Sequence, residues 1–109
     1  MQNAISLEAD NQVRIQGKIS RKIPLKYTPT GLPIAELVVA APQTFLGRDS
    51  MGHFEVVLSG ELAESVATFR IGNRVEIDGT LWTRSFKDRK GNKVQETKII
   101  AKAIIGDKK

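Results

Sequence analysis

The 109-residue chain carries 17 Lys or Arg against 12 Asp or Glu, a net charge of +5, with 40% hydrophobic and 27% charged residues. That balance suits one compact globular domain, and no apolar run approaches the roughly 20 residues that a membrane helix needs. With no cysteine and the single histidine His53, disulfide, thiolate-zinc and most nucleophile–base chemistry are excluded, while the positive excess favours an anionic partner such as nucleic acid.

Residues 1–12 are polar and aperiodic, which predicts a flexible leader before a domain over residues 13–106 and a short tail over 107–109. The first ten residues lack a basic stretch followed by an apolar block, so no secretory signal is read and the cytoplasm is the expected location. Val13, Ile15, Gly17 and Ile19 alternate with Arg14, Gln16, Lys18 and Ser20, the period of a strand with one face inward. Pro24, Pro29, Gly31 and Pro33 then break the pattern, and the chain is expected to turn around residues 28–31. Tyr27 falls in that loop beside Lys26. A second strand is read over residues 34–40 and a third over 53–59, with Phe54, Val56 and Leu58 inward. Between them Pro42, Gly47 and Gly52 flank a polar loop holding Phe45 and Arg48.

The period changes after Gly60. Leu62, Val66 and Phe69, with Ala63 and Ala67 beside them, describe a short amphipathic helix capped by Ser59 and ended before Gly72. A fourth strand is predicted from Arg74 to Leu81 or Trp82, with Gly79 as a bulge or bend. Residues 88–92 supply a hairpin turn, and a fifth strand over 94–105 places Thr97, Ile99, Ala101, Ala103 and Ile105 on one face. This order gives an all-β fold with one short helix, the five-stranded OB-fold (oligonucleotide-binding) barrel. A generic β-sandwich does not account for the helix between strands three and four.

Charge is segregated along the chain. Residues 13–48 carry a net +5, residues 49–81 a net −4, and residues 82–109 a net +6. Lys87, Arg89, Lys90 and Lys93 crowd around Gly91, predicting a movable cationic finger. Binding an unpaired strand needs cations for phosphates and flat rings for bases. Trp82, Arg84 and Phe86 have one parity on an extended strand, which predicts a ring–cation–ring strip at the base of the finger. Phe45, Arg48 and Tyr27 are further candidates, and Lys18, Lys22 and Lys26 would neutralise phosphates from another side. Glu61 and Glu64 sit on the solvent side of the helix, no phosphate loop is present, and no catalytic residue, metal or cofactor is expected. A helix acidic on its exposed side is repelled by a duplex groove, so single strands are the better ligand.

The runs KYTPTGLPIAEL (26–37), VVLSGELAESV (56–66), IGNRVEIDGTLWTRSF (71–86) and TRSFKDRKGNK (83–93) resemble the bacterial single-stranded-DNA-binding protein family, most closely its short primosomal branch, over about residues 11–106. Ordinary members continue into a long tail with an acidic tip, whereas this sequence stops at Lys109, which points to the primosomal branch. Phe45 and Phe86 stand where ordinary members carry base-stacking tryptophans, and His53 and Ser59 stand at two other such places. The resemblance implies a homodimer that binds single-stranded DNA without sequence preference and assists a primosomal helicase and helicase-loading proteins. Two rivals remain: ordinary single-strand protection as a tetramer, and a protein-interaction adaptor docking through the acidic region 55–78.

Overall fold

A computed structural model describes residues 10–106, and the elements in chain order are β1 (Val13–Tyr27), β2 (Pro33–Phe45), β3 (Arg48–Ser59), α1 (Glu61–Ser65) with a 3₁₀ turn (Val66–Thr68), β4 (Arg74–Lys87) and β5 (Lys93–Gly106). The five strands close into one barrel in the order β1-β2-β3-β5-β4. Only the β3–β5 seam is parallel; every other neighbour is antiparallel. This is the OB-fold barrel expected from the order of elements. Residues 1–9 of the expected leader and the tail over 107–109 lie outside the described residues. Asn11 is fixed to β4: its side-chain amide donates to the Leu81 carbonyl and accepts from the Leu81 N–H, both at 2.8 Å.

Alternation drives the core. Ile19, Leu37, Val39, Val56, Leu58 and Ile77 are the largest fully buried side chains, and Ala63, Val66 and Phe69 seal one end of the barrel from α1 and its 3₁₀ turn. Phe54 packs against this cluster as expected. The helix is not capped by Ser59. Gly60 is the N-cap and no side chain bonds there, so the first turn relies on the Glu64 N–H donating to the Gly60 carbonyl at 3.2 Å and on the acids at positions 61 and 64.

The strands are longer than the turn residues suggest. β1 runs through Pro24 to Tyr27 because two of its residues, Pro24 and Leu25, oppose the single Ala35 of β2 in a bulge where a proline's missing N–H breaks no ladder bond. The expected polar loop over residues 42–52 is instead a continuous hairpin. β2 and β3 pair from Ile34↔Ser59 out to Phe45↔Arg48, with Leu46 (φ 52°) and Gly47 (φ 77°) as its two-residue turn. Side chains brace that stem: Thr44 donates to Asp49 at 2.7 Å and Gln43 to Ser50 at 3.2 Å.

The irregularity expected at Gly79 lies between β4 and β5, and the extra residue belongs to β5. Asp78 pairs with Ala103 while Gly79 pairs with Ala101, leaving Lys102 unopposed. Gly79 is still needed, because a Cβ there would collide with the Ile100 carbonyl. The bulge reverses the parity of β5. Ile99 and Ala101 face the core, but beyond Lys102 the inward residue is Ile104, while Ala103 and Ile105 are exposed. The single face assigned to residues 97–105 therefore breaks at Lys102.

Candidate nucleic-acid interface

Because β3 and β5 are parallel and each begins at a hairpin turn, the β2–β3 and β4–β5 hairpins project from the same end of the barrel. The β1–β2 turn and α1 occupy the other end. The β4–β5 arm is a regular ladder that pairs Trp82↔Lys98, Arg84↔Glu96, Phe86↔Val94 and Lys87↔Lys93. β4 thus extends five residues past Trp82 and carries both rings on strand rather than loop.

The strip expected from parity is present. The Arg84 guanidinium lies 5.9 Å from the Trp82 ring centroid and 4.9 Å from that of Phe86, bridging the two faces as a cation–π pair on each side. Trp82 is 44% and Phe86 39% exposed, so both rings keep surface within reach of a ligand. Packing between rings also restricts the guanidinium, lowering the entropy lost when it binds.

At the tip, five residues close the turn without slack. The Asp88 N–H donates to the Asn92 carbonyl, the Gly91 N–H to the Asp88 carbonyl, and the Asp88 carboxylate accepts from the N–H groups of Lys90 and Asn92 at 2.9 and 2.8 Å. Gly91 takes φ 83°, a conformation costly for a side-chain-bearing residue. The expected movable finger is a hydrogen-bonded turn on a paired ladder. The β1–β2 turn repeats the construction: the Thr28 N–H donates to the Leu32 carbonyl, the Thr28 carbonyl accepts from the Gly31 N–H, and the Thr28 hydroxyl accepts from the Leu32 N–H at 3.0 Å. Lys87 and Lys93 face each other directly, a like-charge pair that costs stability unless an anion relieves it. Residues 84–96 carry five Lys or Arg against two acids.

The remaining candidates divide. Phe45, 76% exposed, and Arg48 flank the turn of the β2–β3 hairpin and share the end of the β4–β5 arm. Lys26 and the exposed Tyr27 sit at the opposite end, beside the β1–β2 turn. Lys22 points to the helix end and donates from Nζ to the Phe69 carbonyl at 2.8 Å, a structural cap. Lys18 pairs with Arg74 across β1–β4 and lines a separate groove with Met51 and Ile105. The structure joins Trp82, Arg84, Phe86, Lys87, Arg89, Lys90 and Lys93 on one arm, and does not join Lys18, Lys22, Lys26 or Tyr27 to it.

Carboxylates on this face were not singled out from the sequence. Glu96 accepts from Arg84 Nε at 2.6 Å, and Lys98 Nζ lies 3.0 Å from Glu36 and 3.9 Å from Glu55. The bond to Glu36 raises the Lys98 pKa above its ordinary value, against the opposing effect of burial and with help from the nearby charges of Glu36, Glu55 and Glu96. Hairpin symmetry was the available signal, since Arg84 and Glu96 stand at equal distances on either side of Lys90.

Residues 10–105 match the family described as the single-strand binding protein family. The chain belongs to that family. Single-stranded DNA-binding protein 2 of Listeria monocytogenes is 30% identical over 98 residues, covering 86% of this chain and 61% of that protein. Single-stranded DNA-binding protein A of Bacillus subtilis is also 30% identical, covering 86% of this chain and 57% of that one. The chain thus spans about three fifths of the length of the curated relatives it matches. The solved structure of the protein PriB from Ralstonia solanacearum has the same fold, with a TM-score of 0.70 at 16% identity over 91% of this chain and 100% of that one. Among the described residues no helix is long and apolar enough to cross a membrane, and no group of three or more acids and histidines is placed to hold a metal ion.

Proposed function

We propose that the protein is a non-catalytic, cytoplasmic single-stranded-DNA-binding module in which the β4–β5 arm holds the strand. The observation that carries this reading is Arg84 set between the Trp82 and Phe86 rings below a tip bearing Lys87, Arg89, Lys90 and Lys93. Bases stack on the rings while phosphates meet the cations. Phe45 and Arg48 add a second contact from the neighbouring hairpin. Membership of the single-strand binding protein family supports the choice of ligand.

The finer reading is a PriB-like homodimeric adaptor that holds DNA for a primosomal helicase and its loading proteins. It rests on the resemblance of residues 26–37, 56–66 and 71–86 to the primosomal branch. The self-pairing seam is assigned to β1, whose pairing with β2 begins only at Lys18 and leaves residues 13–17 with β4 as their one partner. A second reading, ordinary single-strand protection, is favoured by the relatives from Listeria and Bacillus and predicts a tetramer.

The test is an oligo-dT titration at several salt concentrations, with the mass measured in parallel. Contact with about five phosphates gives log affinity falling with log salt at a slope near −3.5. A salt-independent affinity rejects the mechanism. Absence of binding below tens of micromolar at moderate salt leaves the protein-interaction role instead.

A further inference from the structure

The cations of the β4–β5 arm fall into two kinds. At the tip, Lys87, Arg89, Lys90 and Lys93 form no ion pair among the described residues. On the sheet beside the rings, both cations are already neutralised: Arg84 by Glu96 at 2.6 Å, and Lys98 by Glu36 at 3.0 Å with Glu55 at 3.9 Å. Lys98 stands directly across from Trp82, so each cation flanking that ring is held by a carboxylate.

We infer that Glu96 is an internal competitor for the phosphate site at Arg84: a bound strand reaches the Nε edge of the guanidinium only by displacing this carboxylate, which therefore tunes the affinity and the salt response of the interface. The inference rests on the strand-binding reading above. Arg84 Nε and the adjacent amino group form the fork that takes a phosphate or a carboxylate side-on, and Nε is the atom Glu96 engages. A phosphate arriving at that fork meets a fixed negative charge at contact distance. The rings on either side favour the guanidinium where it stands, so a phosphate at its Nε edge exchanges with Glu96.

Two stages follow from the placement. The unpaired tip captures the backbone, and the paired centre opens only when bases press onto Trp82 and Phe86 and their stacking offsets the broken ion pair. Glu96 is thus a positioning and selectivity residue that tunes the site through Arg84. It acts against bare polyanions, which bring phosphates but no bases.

The salt slope separates this role from a structural one. When a phosphate takes Arg84, the freed Glu96 carboxylate regains a cation atmosphere from solution, which cancels part of the counterion release from the DNA. The experiment titrates oligo-dT into the full chain over a salt series, comparing the native protein with Glu96→Gln, Arg84→Gln and the double variant. Glu96→Thr, suited to a strand, serves as a second replacement, and thermal melts by circular dichroism verify folding. The expected result is that Glu96→Gln and Glu96→Thr bind about two- to fivefold tighter at low salt, as for an exposed ion pair. Their slope should steepen by up to about 0.7, and the gain should vanish in the Arg84→Gln background. Weaker binding by Glu96→Gln, or an unchanged slope with unchanged affinity, overturns the inference and leaves Glu96 as a brace for Arg84. Failure of the native protein to bind oligo-dT at any salt instead overturns the strand-binding reading itself.

Discussion

Leu46 holds φ at 52°, the one positive value on a residue other than glycine among the described residues, and it is followed by Gly47 at 77°. Two successive positive φ values are the signature of the hairpin turn that prefers Asn-Gly, and a bulky residue there costs roughly 1–2 kcal/mol. Leu46→Asn should raise stability by about 0.5–1 kcal/mol, seen as a higher urea midpoint with an unchanged slope. A lower midpoint would show that the Leu46 side chain holds something that Asn cannot. Gly79 is the opposite case. An added methyl meets the Ile100 carbonyl, and Gly79→Ala should destabilise by about 1–3 kcal/mol as two paired strands are forced apart. At the interface, Phe86→Ala should weaken oligo-dT binding by about 1–3 kcal/mol. Trp82 is the sole tryptophan, so quenching of its emission on titration reports the same strip without a label.

At the scale of elements, the sequence makes the barrel legible because alternation in β1 and β3 and the helical period after Gly60 each point to one local structure. The ring–cation–ring strip was legible for the same reason, since parity on a strand needs no tertiary knowledge. What parity misses is a change of register. The face assigned to β5 fails beyond Lys102 because a bulge inserts one residue, and nothing in the run KIIAKAII marks which residue is the extra one. The β2–β3 hairpin does not show in the sequence because its stem, within residues 42–52, is largely polar and lacks an apolar face to declare itself as strand. Lys22 read as a surface cation, yet the tertiary fold brings the Phe69 carbonyl to it from 47 residues away. Two predictions belong here. Changing Lys87, Arg89 and Lys90 to Ala removes three tip cations while keeping the Asp88 and Gly91 turn, so the oligo-dT salt slope should become shallower by about 2 with little change in melting. A native slope in this variant would take the tip out of the interface. The second concerns Lys98, whose side chain is 18% exposed against 26% for Glu36. Its pKa is raised in the folded state above the ordinary 10.5, so the pairing stabilises fully below that pH and is lost as pH climbs through the folded-state value. Lys98→Met should therefore cost about 1 kcal/mol near neutrality, and the gap to the native protein should close in melts above pH 10.5. A gap that persists there would assign the loss to packing rather than charge.

For the whole molecule, the decisive feature is where the closed barrel fails to cover its own strands. Pairing of β1 with β2 stops at Lys18↔Ala40, and beside that point opens a groove of about 730 Å³ lined by the apolar Pro42, Met51 and Ile105 together with Lys18, Arg74 and Glu76. Met51 is 56% and Ile105 67% exposed, large apolar side chains beside an unpaired strand edge. A second copy meeting that edge by two-fold symmetry would bury both features at once, which makes the groove the seam of the proposed dimer. Met51→Glu should shift sedimentation from twice the chain mass to the chain mass at tens of micromolar, and exposure of the site means the barrel itself should still melt cooperatively. Short oligonucleotides that fill one β4–β5 arm should bind this variant as they bind the native protein. Long ones should lose the gain that comes from linking two sites on one strand, which raises the effective concentration at the second arm. Equal loss for short and long strands would place Met51 in the DNA contact. A native chain that sediments as a monomer would leave the groove for a different partner, and one at four times the chain mass would favour single-strand protection over the adaptor role.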